Sequence, residues 1–306
     1  MKTLILKILI LTIGTSISSY GQKEIKVITY NVLEGLGNNA VYGDKRHENC
    51  VNWLKDQAAD VIALQEMYGS ESQLAEDAKE WGHDFYVKSG SVAITSNQPI
   101  EIQQIYSSED LRNDVIHCRV YGIDFLGIHL SPSDWQFRLG EAAFVKSIID
   151  TIKTKTDKYI VLGDFNSHSP LDAELYAQNP ELVKKYLKGE IANESKGNPN
   201  RNLVGFNLDY SVMSRFLSFP LIDLTQRFVP FYGRHTFPTP ILIDVWRTAG
   251  NIGRTPERID YIMSSIALSE YCIGVKVHNG EENDFISDHY PVEAIFKIDR
   301  FAVFTK

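Results

Sequence analysis

The chain has 306 residues, of which 43% are hydrophobic and 23% are charged. These proportions are typical of a globular protein and exclude disordered, collagenous and low-complexity chains. The formal net charge is -8, from 31 basic and 39 acidic side chains. Because tight binding of long nucleic acid needs a basic surface, this charge argues against a protein that grips long DNA or RNA, although a local basic pocket is compatible with it.

The first 21 residues are typical of a secretory signal peptide. Lys2 and Lys7 precede an apolar run at 8–13, and small residues end at Gly21, which would make Gln22 the first residue of the mature chain. The run is too short to span a bilayer, which takes about 20 apolar residues. We therefore expect export to the periplasm or the medium, which would remove two lysines and leave a net charge of -10 (29 basic against 39 acidic side chains). An uncleaved anchor or a buried first helix is the alternative.

The three cysteines, Cys50, Cys118 and Cys272, are too few and too widely spaced for a disulfide framework or a zinc ligand set. Their odd number leaves at least one thiol unpaired. We expect small, buried, apolar side chains without a chemical role.

From residue 24 onward, short β-type runs alternate with amphipathic helical segments. Strands are predicted at 25–30, 61–64, 85–87, 91–95, 115–120, 125–129, 159–162, 258–262 and 292–298, and helices at 46–57, 71–81, about 135–154 and 209–217. Many strands are only a few residues apart, which favours antiparallel meanders. The mixture predicts a single α+β domain over residues 22–306, with two packed, mainly antiparallel sheets and helices on the outside.

A polar stretch at 181–202 interrupts these patterns and is typical of a surface insertion. Its basic residues are Lys184, Lys185, Lys188, Lys196 and Arg201. Two interpretations are open: a solvated helix face and loop, or a patch that guides a phosphate. Because apolar strand patterns resume on both sides, we expect an insert within one domain.

Polar side chains fall where the predicted strands stop or begin. These residues are Asn31, Glu66, His129, Asp164, Asn166, Asp260, Asp288 and His289. If several of the strands end at the same rim of a sandwich, the oxygen and imidazole groups converge there while the apolar faces stay in the core. Carboxylate and amide oxygens without a thiolate favour Mg²⁺ or Mn²⁺ over zinc or copper.

Six short motifs carry these residues in order along the chain. They are Tyr30-Asn31-Val32, Leu64-Gln65-Glu66, Gly127-Ile128-His129-Leu130, Gly163-Asp164-Phe165-Asn166, Arg258-Ile259-Asp260-Tyr261 and Ser287-Asp288-His289. Each motif is weak by itself, but together and in this order they resemble those of the endonuclease/exonuclease/phosphatase superfamily. The resemblance implies a four-layer αββα sandwich that hydrolyses phosphoester bonds with a divalent cation.

The same resemblance implies a metal site that takes Mg²⁺, or Mn²⁺ in its place. Glu66 is expected to be the main ligand, and Asn31 a neighbouring ligand or a ligand to the ion's water. Asp288 is expected to bind a second metal or its water. The ion would act as a Lewis acid, neutralising charge on a phosphoryl oxygen and on the departing oxygen.

The catalytic roles follow from the resemblance in the same way. Asp164 is expected to orient and deprotonate the attacking water, and Asn166 to donate its amide to the phosphate or the nucleophile. Asp260 would fix the ring of His289, whose other nitrogen donates to a phosphoryl oxygen. His129 would donate to the phosphate as charge builds in an in-line displacement.

The substrate side is less marked in the sequence. Arg112 and Arg138 are expected to contact phosphate from adjoining loops, and Thr236 with Phe237 occupies the place of a threonine-plus-aromatic element in the family; a structural role is the alternative for each. Members that act on abasic DNA usually carry a tyrosine at the position of His129. Together with the acidic charge, this departure favours a phosphorylated metabolite or phospholipid-type ester as substrate of a monomeric enzyme. A secreted nuclease acting on DNA or RNA, and a noncatalytic binding module on the same scaffold, are the alternatives.

Overall fold

The computed structural model describes residues 23–37, 41–198, 200–218 and 221–298. The predicted signal peptide at 1–21 lies outside the described residues. Among the helices of those four ranges, none combines the length and the apolar character that crossing a bilayer requires.

The described ranges hold strands and helices in a mixed order. The strands are β1 (Lys23–Asn31), β2 (Val61–Gln65), β3 (Phe85–Ser89), β4 (Val92–Ser96), β5 (Glu101–Tyr106), β6 (Val115–Val120), β7 (Ile123–His129), β8 (Tyr159–Asp164), β9 (Leu203–Val204), β10 (Asn207–Leu208), β11 (Leu221–Asp223), β12 (Asp260–Ser265), β13 (Cys272–Val277) and β14 (Val292–Ile298). The α-helices are α1 (Arg46–Gln57), α2 (Glu71–Glu80), α3 (Trp135–Ile152), α4 (Ala173–Ala177), α5 (Pro180–Glu194), α6 (Ser211–Ser218), α7 (Leu224–Phe228), α8 (Ala249–Arg254) and α9 (Ile266–Ser269).

Two six-stranded sheets form the centre of the molecule. The first has the strand order β13-β14-β1-β2-β4-β3, and the second has the order β11-β12-β8-β7-β6-β5. In each sheet one central pair is parallel, β1 with β2 and β7 with β8, and the other pairs are antiparallel. The predicted pair of mixed, mainly antiparallel sheets is therefore confirmed.

Side-chain alternation along the strands builds the layers, because successive residues of a strand point to opposite faces. In β1, Val27 packs between the sheets, whereas Ile28 and Tyr30 pack with residues of α1 and α2. In β8, Leu162 packs between the sheets and Val161 packs with residues of α3 and α6. The result is a four-layer helix-sheet-sheet-helix sandwich, as predicted.

The strand register brings the predicted site residues to one rim. Asn31 at the end of β1 lies opposite the last residue of β2, directly before Glu66. In the second sheet, His129 is paired with Asp164, and Asp164 is paired with Asp260 on the other side. Three residues that are far apart in sequence thus lie side by side on neighbouring strands.

One glycine allows the close approach of β7 and β8 just before this row. Gly163 has a φ of +144°, which L side chains rarely adopt, and lies opposite Ile128. A Cβ added to Gly163 would stand 1.9 Å from the carbonyl oxygen of Ile128. Only a residue without a side chain therefore fits this position without displacing the neighbouring strand.

Candidate active site

A hydrogen-bonded pair of an imidazole and a carboxylate lies at the centre of the rim. Nδ1 of His289, which precedes β14, lies 2.8 Å from Oδ2 of Asp260, the first residue of β12. The hydroxyl of Thr236 accepts the backbone N–H groups of Ile259 and Asp260, at 3.1 and 3.2 Å, and so fixes the start of this strand. Nε2 of His289 lies 3.8 Å from Oδ2 of Asp164.

The surrounding carboxylates govern the ionisation of these buried groups. Burial alone would lower the pKa of His289, but the neighbouring carboxylate charges, that of Asp260 foremost, hold it well above its ordinary value. Burial, together with the charge of Asp260, raises the pKa of Asp164. Burial also raises the pKa of Asp288 to about 6. The rim therefore holds more buried carboxylates than cationic partners, and a divalent cation would balance this excess.

Asp164 ends β8 and is held from several directions. Nδ2 of Asn31 donates to its Oδ2 at 3.1 Å, and the backbone N–H of Asn166 donates to its Oδ1 at 2.8 Å. Nε2 of His129 lies 3.5 Å from the same Oδ2. Burial lowers the pKa of His129, an effect that the charge of Glu66 opposes, so a neutral imidazole faces the carboxylate. The amide nitrogen of Asn166 also donates to the carbonyl of Leu130 at 2.9 Å.

Glu66 follows β2 and stands at the edge of the same site. Nδ2 of Asn31 donates to its Oε1 at 3.3 Å, and the backbone N–H of Glu34 donates to its Oε2 at 3.1 Å. The Asn31 amide therefore links Glu66 to Asp164. Glu66 and Asn166 have left-handed backbone φ angles of +57° and +47°. Such a conformation costs a non-glycine residue about 1–3 kcal/mol and is concentrated at functional sites.

The donor set fits a hard divalent cation. Among the described residues, ligand atoms of Asp164, Asp260 and His289 all lie within 4.8 Å of one another. Of these, Asp260 and His289 are already hydrogen-bonded to each other through Oδ2 and Nδ1. The other carboxylate oxygen of Asp260, Oδ1, is buried without a hydrogen-bond partner in the described structure. Glu66, which sequence analysis favours as the main ligand, offers a less buried carboxylate at the cavity edge. The carboxylate oxygens of Glu66, Asp164 and Asp288 and the amide oxygen of Asn31 are the donors that suit Mg²⁺ or Mn²⁺.

A cavity of about 570 Å³ opens over this rim. The predicted residues that line it are Glu66, Arg112, His129, Asp164, Asn166, Phe237, Asp288 and His289. Asn31 and Asp260 lie behind them, within hydrogen-bonding distance of lining residues. The ring of Phe237 packs against that of His289, with centroids 5.0 Å apart.

Two predicted substrate contacts have other partners in the structure. The guanidinium of Arg138 is buried and donates to the carbonyl of Ser131, the hydroxyl of Ser167 and Oδ1 of Asn202. The hydroxyl of Thr236 is taken up by the backbone at the start of β12. Neither residue lines the cavity, so each one supports the site through its hydrogen bonds to neighbouring segments.

Part of the cavity wall carries none of the six motifs. The polar insertion forms α5 and contributes Lys185, Tyr186, Gly189, Glu190 and Asn193 to the lining, and the segment before α8 contributes Trp246 and Arg247. The basic residues of the insertion were the signal that could have revealed Lys185. Nothing in the local sequence marked Trp246 or Arg247, which lie in irregular backbone.

Glu257 attaches α5 to the chain just before β12. Its carboxylate pairs with Lys185 and accepts hydrogen bonds from the hydroxyl of Tyr186 and, at 3.0 Å, from Nε2 of His168. Burial alone would raise the pKa of Glu257, but the Lys185 charge and the His168 hydrogen bond hold it well below its ordinary value. The part of the cavity wall that α5 forms is thus held by the Lys185–Glu257 ion pair, close to the start of β12.

The fold and the site together define a class of protein: a two-sheet sandwich that presents buried carboxylates and imidazoles at one rim. The chain matches the model of the endonuclease/exonuclease/phosphatase family over residues 28–289, and it belongs to this family. A comparison with curated proteins found no match.

Solved structures with the same fold include an endonuclease, an exonuclease and a phosphatase. An AP endonuclease from Archaeoglobus fulgidus is 19% identical with a TM-score of 0.62. The 3′ phosphatase NExo from Neisseria, bound to a product DNA hairpin, is 20% identical with a TM-score of 0.62, and the 3′-5′ exonuclease NExo from Neisseria meningitidis is 21% identical with a TM-score of 0.61. Each alignment covers 90% of this chain and 100% of the other. At these identities the likeness establishes the shared fold.

Proposed function

We propose that the protein is a Mg²⁺-dependent phosphoester hydrolase that attacks phosphorus in line with water. The observation that carries the proposal is the assembly of the Asp260–His289 pair, Asp164 and His129 beside Glu66 at one cavity. A bound divalent ion would supply Lewis-acid stabilisation of the phosphoryl and departing oxygens. Glu66, Asn31 and Asp288 would hold it, and Mn²⁺ would serve in place of Mg²⁺.

The chain's own residues then divide the proton chemistry among them. Asp164 receives the proton of the attacking water, and the Asn31 amide and the Asn166 backbone N–H hold its carboxylate in position for this step. His289 is fixed at Nδ1 by Asp260, and its Nε2–H donates to a nonbridging phosphoryl oxygen. The neutral His129 ring donates to another phosphoryl oxygen where charge builds up in the transition state. Asn166 completes the set with its amide at the cavity wall.

We favour a phosphorylated metabolite or a phospholipid-type ester as substrate, acted on by an exported, monomeric enzyme. The net charge of -8 supports this choice over a long polynucleotide. The second candidate is a nuclease, favoured by the observation that the NExo structure of the same fold is bound to a DNA hairpin. A noncatalytic binding module is the candidate from another class, and the retention of every matched acid and imidazole argues against it.

Hydrolysis of bis(4-nitrophenyl) phosphate tests the proposal. We expect activity with Mg²⁺, none with EDTA, and a loss of at least about a hundredfold in Asp164→Ala, because a positioned base contributes about 10²–10⁴. Asp150→Ala is the matched control, since Asp150 lies on the surface of α3 and pairs with Lys146 and Lys153. Activity that survives EDTA or the Asp164 substitution would refute the mechanism.

A substrate panel separates the candidate functions. Plasmid DNA, RNA, sphingomyelin, inositol phosphates and sugar phosphates would be compared at one Mg²⁺ concentration. Preferred cleavage of small phosphoesters or of the phospholipid supports the favoured substrate class, and preferred cleavage of DNA or RNA supports the nuclease. Absence of turnover on every phosphoester would support the binding module.

A further inference from the structure

The basic residues of the cavity are unequally neutralised. Among the described residues, three arginine or lysine side chains line it: Arg112, Lys185 and Arg247. Arg112 lies on the catalytic side, where its charge acts on His129. Lys185 forms its ion pair with Glu257. Arg247 makes no ion pair with any residue in the described part of the chain, and its Nε is buried without a hydrogen-bond partner there.

The guanidinium of Arg247 is held by aromatic rings rather than by carboxylates. Its Cζ lies 4.5 Å from the ring centroid of Trp246 and 5.7 Å from that of Phe237. Stacking on aromatic faces orients the planar guanidinium and leaves its donors available to an anion. The Nζ of Lys185 lies 5.9 Å from the Phe237 centroid, so a second cation is close by.

Phe237 also sets the distance from this cation to the reacting centre. Its ring centroid lies 5.0 Å from that of His289 and 5.7 Å from Cζ of Arg247. The two distances together limit the separation of the His289 ring from the guanidinium to about 11 Å at most. A single sugar ring with phosphate groups at opposite ends fits within this limit. The cavity volume of about 570 Å³ lies in the range usual for a small-molecule site.

The positive charges of Lys185 and Arg247 repel each other unless an anion binds to both. Burial lowers the pKa of Lys185, the charge of Glu257 opposes this, and the charge of Arg247 lowers the pKa further. Glu257 is already shared with Lys185, His168 and Tyr186, so it has little capacity left for Arg247. Two oxygens of a tetrahedral phosphate can accept the paired N–H donors of a planar guanidinium.

We infer that Arg247 forms a subsite for a second anionic group, and that the substrate is therefore a small molecule with two phosphate groups on a scaffold of about one sugar ring. The inference rests on the proposed phosphoester hydrolysis, in which the first phosphate accepts a hydrogen bond from Nε2 of His289. Trp246 and Phe237 supply the apolar walls between the two phosphate positions. On the side of Lys185, α5 forms the wall of the cavity.

Inhibition by a matched pair of sugar phosphates tests the subsite. Fructose 1,6-bisphosphate and fructose 6-phosphate would compete with bis(4-nitrophenyl) phosphate at a fixed concentration of free Mg²⁺. The wild-type protein should bind the bisphosphate at least about tenfold more tightly, the gain expected from one charge-assisted contact. Arg247→Gln should raise the inhibition constant of the bisphosphate about tenfold and that of the monophosphate less than about twofold.

Arg254→Gln is the control, because Arg254 is an exposed arginine of α8 that does not line this cavity. It should leave both inhibition constants unchanged. Equal shifts for the two sugar phosphates in Arg247→Gln, or no wild-type preference, would overturn the inference. So would an oligonucleotide whose cleavage falls tenfold in Arg247→Gln while bisphosphate inhibition is unaltered, since the neighbouring phosphate of a polynucleotide would then be the ligand.

Failure of the proposed function gives a different result. If the wild-type protein hydrolyses no phosphoester, calorimetric titration with the same two sugar phosphates measures the subsite alone. Tighter binding of the bisphosphate that is lost in Arg247→Gln and retained in Arg254→Gln would support the subsite without the reaction. Equal binding of both compounds by the wild-type protein would overturn it.

Discussion

Replacement of Gly163 by alanine tests whether the close approach of β7 and β8 builds the site. The added Cβ would lie 1.9 Å from the carbonyl oxygen of Ile128. A carbon–oxygen contact is normally no closer than about 3.3 Å, so one strand has to move by roughly 1.4 Å. The positive φ of +144° adds backbone strain. We expect Gly163→Ala to lower the free energy of unfolding by about 2–5 kcal/mol, from overpacking and strain together.

The displacement also reaches the reacting groups. His129 and Asp164 directly follow Ile128 and Gly163 on the two strands, and their side chains are 3.5 Å apart. A misplacement of about 1 Å can cost about a hundredfold in rate, so we expect a loss of that size in the hydrolysis of bis(4-nitrophenyl) phosphate.

Gly140 provides a matched control for this substitution. It is exposed within α3, and a Cβ added there would meet nothing within 4 Å. Gly140→Ala should raise the free energy of unfolding by about 0.5–1 kcal/mol and leave activity unchanged. Urea unfolding and initial rates measure both variants. Wild-type stability in Gly163→Ala would refute the packing argument, and a destabilised variant with full activity would refute its link to the site.

Two further predictions concern buried ionisable groups. Glu257→Gln should lower the free energy of unfolding at pH 7 by about 3 kcal/mol, because Lys185 loses a buried partner. Since the folded-state pKa of Glu257 is lowered, the extra stability of the wild type over Glu257→Gln should decrease as pH falls below about 4.3. A difference in urea midpoint between the two proteins that stays constant from pH 7 to 3 would contradict the ion pair's role in stability. Burial raises the thiol pKa of every cysteine, to about 12 for Cys118 and about 11 for Cys272. The folded protein should therefore not react with 5,5′-dithiobis(2-nitrobenzoate) at pH 8, whereas three thiols of the unfolded chain should react. Prompt reaction of the folded protein would show that a thiol is accessible.

The central strands and the rim could be predicted from the sequence because burial and pairing leave a clear pattern there. The runs that end at Asn31, His129 and Asp164 are buried along most of their length, and each one stops at a polar residue. Such a pattern identifies both the strand and the edge at which it ends.

The edge strands β5 and β13 were missed for a related physical reason, whereas the edge strand β3 was predicted. β5 is almost entirely exposed, with Ile102 and Ile105 open to solvent, and β13 has a register shift between Cys272 and Gly274. Both lie at the edge of their sheet, where one side lacks a strand partner and alternation is weakly enforced.

The cavity wall could not be predicted because it depends on contacts between distant segments. Lys185 becomes part of the site only through Glu257, 72 residues further along the chain. Arg138 is excluded from the cavity only because the carbonyl of Ser131 and the side chains of Ser167 and Asn202 take its donors. Neither partner choice leaves a local signal in the sequence.

The pairing of β1 with β14 determines when the site becomes complete. Lys23 lies opposite Ile298, so the two ends of the described chain are hydrogen-bonded neighbours in one sheet. Asn31 is the last residue of β1, and His289 lies three residues before the start of β14. A nascent polypeptide that ends before residue 289 cannot bring these two side chains together. The assembled cleft therefore depends on segments from both ends of the described chain, and no fragment that ends before His289 contains all of it.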